Sequence, residues 1–257
     1  MKKYFTAFFM SWGMFTAIPC PLKIWDEEAR GEMLACFPLT GAVVGLLWAL
    51  IVFLTKGMPQ FVRAFLIAVI PWLLTGFMHL DGFMDVCDAI LSRRDLETRQ
   101  KILKDSRVGA FAVICVGLLI AANVCICADI FSKTAEGMDF GSLFGLLSFL
   151  LIPVSSRAMA ALCIMQMKPM GTSQYSGRTY AKKLMILPAV LLFISVFLPF
   201  LLSGGNLVPG LFSPAVTALA YFVFASMAAK NLDGMNGDIS GFSQTISEIA
   251  GLIVLIF

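Results

Sequence analysis

Charge is what this 257-residue chain has least of. Only 14% of its residues are Asp, Glu, Lys or Arg, against about 25% in an average soluble domain, which is too little to coat a surface that faces water. The formal net charge of +3 is too small to argue for a nucleic-acid partner. Seven cysteines are present, mostly inside apolar runs, but they form no CxxC pair and no zinc-type spacing. They read as reduced, small apolar side chains. No Walker-type glycine loop occurs, so any phosphate chemistry does without a nucleotide P-loop. No long repeat, low-complexity tract or linker divides the chain, and residues 1–257 read as one domain.

What is there is apolar: 59% of residues are hydrophobic and the mean hydropathy is +0.89. A spanning helix needs about 20 apolar residues. Segments of that size recur at Leu34–Thr55, Phe61–Leu80, Val108–Ile130, Gly141–Met167, Leu184–Ser203 and Leu211–Ala229, with a seventh at Ile239–Phe257 that carries Glu248. The fold predicted is all-α, a polytopic transmembrane bundle of six to seven helices. Tyr4–Ile18 is short for a span and ends at Pro19 and Pro21, which suits an interfacial or re-entrant helix. It lacks a small-residue cleavage site and reads as retained.

Basic residues alternate between the connections. Those at 20–33, 81–107, 168–183 and 230–238 hold two, six, four and one Lys or Arg, while those at 56–60, 131–140 and 204–210 hold one, one and none. By the positive-inside rule the first set faces the cytoplasm. Every polar motif of interest then falls on or near that side.

The densest motif is HLDGFMDVCD, residues 79–88. Asp81, Asp85 and Asp88 stand at i, i+4 and i+7, one face of a helix. Three like charges there call for a cation, and hard oxygen ligands favour Mg²⁺, Mn²⁺ or Ca²⁺. The competing reading is a solvated acidic face, which is less suited to the apolar residues between the acids. His79 is a candidate general base or metal ligand, or a structural hydrogen-bonding group. In KILKDSRVG, Arg107 with Asp105 suits a bidentate grip on phosphate, whereas the neighbouring lysines are also explained by topology. Arg157 and Glu248 lie inside apolar segments, where an ionisable group marks a site or pairs with a partner; they could pair with each other. DGMNGD, residues 233–238, and PMGTSQYSGR, residues 169–178, read as loops. Acids, basic phosphate grips and a membrane boundary together suggest metal-assisted phosphoryl transfer.

The run HLDGFMDVCDAILSRR, followed by ILKDSRVGAF, resembles the cobalamin synthase family, also called adenosylcobinamide-GDP ribazoletransferase. FTAIPCP is similar to that family's FxTRxPxP signature, ARGEMLACFPLTGAVVG to its segment through FPLxG, SSRAMAALCIM to its SRxxA helix, and NGDISGFSQTISE to its TGDxxGxxxExxE ending. Ala17 stands where the family has arginine, and Asn236 where it has threonine. The resemblance implies a membrane enzyme of bacterial or archaeal cytoplasmic membranes that uses Mg²⁺. It joins adenosylcobinamide-GDP to α-ribazole or its 5′-phosphate and releases GMP. Carried over by position, it implies metal binding by Asp81, Asp85 and Asp88, catalytic roles for Asp81, Asp85, Asp105 and Arg107, and contacts to the bound groups from Asp238 and Glu248. Beside these, His79 is kept as a catalytic candidate and Arg157 and Asn236 as candidate binding residues on their own chemistry and position. The lipid bilayer is a partner, nucleic acid is not, and self-association is left open. Two alternatives stay in view. A CDP-alcohol phosphotransferase also sets aspartates at a helix end, but its motif fails after Asp81-Gly82. An ion-coupled transporter would reuse the same acids with Arg157 and Glu248.

Overall fold

The computed structural model describes residues 2–132, 143–171, 173–203 and 209–257, and among them it holds eleven α-helices and no named strand. They are α1 (Lys2–Phe15), α2 (Arg30–Ala35), α3 (Phe37–Leu54), α4 (Gln60–Leu74), α5 (Met78–Leu91), α6 (Leu96–Ile102), α7 (Ala110–Ser132), α8 (Leu143–Gln166), α9 (Ile186–Leu202), α10 (Ser213–Leu232) and α11 (Gly237–Ile253). Pro38 and Pro214 sit in the first turns of α3 and α10, where a missing N–H costs nothing. Asp95 opens α6 by accepting from the Thr98 N–H at 3.0 Å, a side-chain cap.

Six helices, α3, α7, α8, α9, α10 and α11, some with a flanking turn, are long and apolar enough to cross a membrane. The chain is a multi-pass membrane protein. Rows of exposed apolar side chains, such as Val113, Ile114 and Leu118 on α7 and Phe193, Phe197 and Leu201 on α9, would be unfavourable in water and suit lipid. The fourteen residues of α1 are too few for a crossing. The connections at 133–142 and 204–208, and the first residues of the expected Gly141–Met167 span, lie outside the described residues.

One expected span is different. Phe61–Leu80 is not a straight helix: α4 and α5 meet at an angle of 91°. The break is at Gly76 and Phe77, both left-handed, with φ of 61° and 62°. Glycine enters that region freely, whereas a residue with a Cβ gives up roughly 1–3 kcal/mol there. A local bond and a tertiary one hold the bend: the Phe77 N–H donates to Trp72 O at the end of α4, and the Ala17 N–H to Leu74 O, each at 2.8 Å. The FTAIPCP segment therefore braces the corner. Its consequence is that the acidic motif is carried on a helix, α5, turned back against α11.

Helix α3 lies along α8 and α10 along α11, with α5 packed on α11. One apolar cluster, including Phe37, Phe83, Tyr221 and Phe242, gathers α1, α2, the start of α3, α5, α8, α10 and α11. A second, around Trp48, Ile67, Ile130 and Phe149, gathers α3, α4, α7 and α8. Buried polar residues, among them Ser156, Arg157, Thr217 and Glu248, also lie inside this bundle.

Candidate active site

Two glycines set the distance between α5 and α11. A Cβ on Gly82 would lie 2.8 Å from Asp238 O, and a Cβ on Gly241 would lie 3.0 Å from His79 O. Only hydrogen at both positions lets the two backbones touch. That contact brings the start of α5 against the start of α11, and it puts the carboxylates of two distant motifs together. Asp85 is half-buried and feels Asp81 first, then Asp238, then Asp88; Asp238 in turn feels Asp81. None of Asp81, Asp85 and Asp238 has an ion-pair partner among the described residues. Gly82→Val should therefore force α5 off α11 and lower turnover at least tenfold in folded, membrane-inserted protein, while Gly57→Val, in open space, leaves it unchanged.

Asp88 does something else. Its two carboxylate oxygens accept from the N–H groups of Gly109, at 2.6 Å, and Ala112, at 2.9 Å. It caps the start of α7, where unpaired N–H groups and the helix dipole favour an anion. The expected three-carboxylate cage of Asp81, Asp85 and Asp88 is thus not assembled, and no group of three or more acidic, His or Cys side chains among the described residues is arranged to hold a metal by itself. The donor set still fits Mg²⁺. That ion keeps several waters and is commonly held by one or two carboxylates together with substrate phosphates, and Asp81, Asp85 and Asp238 are hard-oxygen donors without a basic counterpart.

Three connections converge on these acids. The pairing of Met170 N–H to Met235 O at 2.9 Å and of Met235 N–H to Lys168 O at 2.8 Å ties the 168–171 segment to the α10–α11 corner. Gly234, at φ 139°, is required there, because a Cβ would come within 2.6 Å of Met170 N. Between this corner and the end of α6 lies a cavity of about 230 Å³, lined by Lys104, Ser173, Gln174, Asn236 and Asp238, among others. Asn236 is the N-cap of α11: its side-chain oxygen accepts from Ile239 N–H at 2.9 Å and its amide donates to Asp238 at 2.7 Å. The three connections all belong to the lysine- and arginine-rich set, so they share one end of the bundle.

Other expected site residues are placed elsewhere. His79 is 7% exposed, with Gln244 Nε2 3.0 Å from its Nδ1 and the Thr245 hydroxyl donating to its carbonyl at 3.1 Å. It does not line the cavity, and its contacts are those of a pin between α5 and α11. Arg157 and Glu248 form a buried ion pair at 2.7 Å, with side chains 1% and 9% exposed; Ser156 also donates to Glu248 at 2.7 Å. An apolar bundle leaves each charge little choice but the other, and they do not reach the cavity as expected contacts to a bound group. Arg107 is 88% exposed and makes a two-pronged contact with Asp105, the shortest distance being 2.6 Å. Hydrogen bonds from Arg107 hold the Asp105 carboxyl down at about 2, so Asp105 is ionised at any physiological pH. The KDSR-like stretch thus sends Lys104 into the cavity and leaves the arginine fork on the surface beside it.

The sequence model of the family described as cobalamin-5-phosphate synthase matches residues 7–256. The chain belongs to that family. A relative from Clostridium perfringens (strain SM101) is 35% identical over 99% of both chains, and one from Clostridium botulinum (strain Alaska E43) is 36% identical over 98% of this chain and 97% of its own. A third, from Lachnoclostridium phytofermentans, is 29% identical over 99% and 95%. Each is named adenosylcobinamide-GDP ribazoletransferase. No solved structure matches. Within this synthase family member, Gln174 and Ser173 are cavity residues that no spacing announces; the only sequence cue is their place in a basic, glycine-rich connection. Lys104 was visible as one of several lysines that topology alone explains.

Proposed function

We propose that this chain is an adenosylcobinamide-GDP ribazoletransferase that joins the corrinoid to α-ribazole or its 5′-phosphate, with Mg²⁺ as its metal and the cavity facing the cytoplasm. The observation that carries the reading is the cavity itself, where Lys104, Asn236, Gln174 and Asp238 converge beside Asp81 and Asp85. Family membership supports the chemistry. The ribazole hydroxyl oxygen forms a bond to the phosphorus attached to cobinamide, the bond from that phosphorus to the GMP oxygen breaks, and the hydroxyl proton passes to a carboxylate of the cluster. Lys104 offsets negative charge on the phosphates as a mobile point charge, and Gln174 and Asn236 orient by hydrogen bonding. Asp81, Asp85 and Asp238 would hold Mg²⁺, which when bound neutralises charge on the phosphoryl oxygens.

The decisive assay gives purified protein in lipid adenosylcobinamide-GDP, α-ribazole and Mg²⁺ and measures GMP and cobamide; ion flux in proteoliposomes without turnover would favour the transporter reading. Arg107→Lys keeps the charge that topology counts but loses the planar fork. It should impair GMP release with abundance unchanged, whereas Arg93→Lys does little; equal rates at saturating Mg²⁺ would make Arg107 a topological charge only. For orientation, reporters fused after Arg94 and after Lys182 should read as cytoplasmic and one after Glu136 as external. The reverse pattern would exclude a cytosolic nucleotide substrate.

A further inference from the structure

The cavity does not end at Gln174. That side chain also lines a narrow slot whose walls are Trp25 and Arg30 on one side and Tyr175, Arg178 and Tyr180 on the other. Gln174 Nε2 donates to the Tyr175 hydroxyl at 3.0 Å. The phenol lies in the fields of both Asp238 and Arg30, so it stands between the acidic cluster and the slot. Burial pushes Tyr175 up to about 12, which keeps it a neutral hydroxyl. The slot is therefore reached from the reacting centre across one residue.

Its chemistry is selective. Trp25 and Tyr180 are aromatic residues of the lining, and the Arg30 guanidinium lies over the Trp25 ring, 5.3 Å from its centre. Glu27 does not line the slot but is bonded to two residues that do, accepting from Trp25 Nε1 at 2.7 Å and pairing with Arg30 Nε at 2.7 Å. The Trp25 N–H first, then Arg30 and Arg178, hold its carboxyl below the usual range. A planar heteroaromatic base suits stacked rings. Two guanidiniums and one ionised carboxylate ask for a base that offers both acceptors and donors on its edge. Guanine offers O6 and N7 to arginine and its N1–H and amino group to a carboxylate. A ribosylated benzimidazole has one free ring nitrogen and no N–H, so it offers an arginine a single acceptor and the carboxylate no donor.

We propose that this slot is the guanine subsite for the nucleotide leaving group, a reading that rests on the proposed transferase activity. The enclosed volume is about 20 Å³, less than a purine needs, so the 20–33 and 173–181 walls part when the base enters. No hydrogen bond or ion pair among the described residues ties those two walls together, so parting them breaks packing and the longer-range attraction of Arg178 for the exposed Glu27 carboxylate, which water screens. The other end of the slot shares Met14 and Trp25 with an open apolar groove of about 550 Å³ along α1, so the walls already have room on that side.

The test is photolabelling of the full chain in lipid nanodiscs with 8-azidoguanosine 5′-monophosphate, with mass-spectrometric mapping and competition by GMP, AMP and α-ribazole. Label is expected within 20–33 or 173–181, and GMP should compete at a concentration about tenfold or more below AMP, the discrimination one good base contact provides. Glu27→Gln and Arg178→Gln should each bring the GMP and AMP concentrations together. Label mapping elsewhere, equal competition by GMP and AMP in the unaltered chain, or full discrimination in both variants overturns the subsite. GMP release from adenosylcobinamide-GDP, measured in parallel, separates the two readings. Release with label elsewhere removes the subsite and leaves the transferase; label at the slot without release keeps a guanine site and removes the transferase.

Discussion

Asp85→Asn is expected to lower GMP release in the proposed Mg²⁺-dependent reaction by about two to three orders of magnitude, the usual loss when one group that stabilises transition-state charge is removed, with the protein inserted and folded as before. The substitution keeps the size and takes away one charge from a cluster of like charges, so no folding defect is expected from it. Asp88→Asn provides the contrast. Both Asp88 oxygens accept N–H bonds from the start of α7, and an asparagine amide turns one acceptor into a donor facing a donor. Loss of such a cap costs about 0.5–2 kcal/mol. Asp88→Asn should therefore lower the unfolding temperature while the surviving protein keeps its Mg²⁺ concentration dependence. Near-normal turnover in Asp81→Asn, Asp85→Asn and Asp238→Asn alike would remove the metal site. A shift in Mg²⁺ dependence in Asp88→Asn as large as in Asp85→Asn would restore Asp88 as a ligand.

Glu248→Leu is expected to destabilise the bundle by roughly 3–5 kcal/mol, because it strands the Arg157 guanidinium in an apolar interior. The pair is among the most enclosed charged groups in the protein, with Arg157 1% exposed and its guanidinium 5.8 Å from the Phe37 ring centre. Replacing both partners removes the uncompensated charge together with the need for it. Arg157→Met with Glu248→Leu should thus recover most of the lost stability, measured by thermal unfolding in nanodiscs. It should also recover turnover, since neither residue lines the cavity. A double variant that regains stability and stays inactive would return Arg157 and Glu248 to the list of groups that contact substrate.

The membrane-spanning helices were legible because hydrocarbon sets a length and a composition that a linear window can detect. Even the segment carrying Glu248 is a helix, since its charge is met by a partner on α8. The bend between α4 and α5 was not legible. Gly76 alone permits a turn, but Phe77 enters the left-handed region only because Trp72 and the Ala17 segment hold it there. The acidic motif was read correctly as a helical face, yet periodicity treats Asp81, Asp85 and Asp88 alike. What divides them is the position of α7, whose N-terminus takes Asp88.

By itself the sequence determined that the chain lives in lipid and that its carboxylate and basic motifs fall in the basic-rich connections between the spans, which is where the phosphate chemistry is proposed. These follow from local composition and spacing. Only the tertiary structure decided which of those residues share a cavity. Gly82 and Gly241 let α5 touch α11, so Asp238 joins Asp81 and Asp85 from 150 residues or more away in the chain. The Met170–Met235 pairing then carries Gln174 to the same place, while His79, Arg157 and Glu248 turn inward. Contacts between distant segments depend on which backbones can approach, and no periodicity within one segment records that.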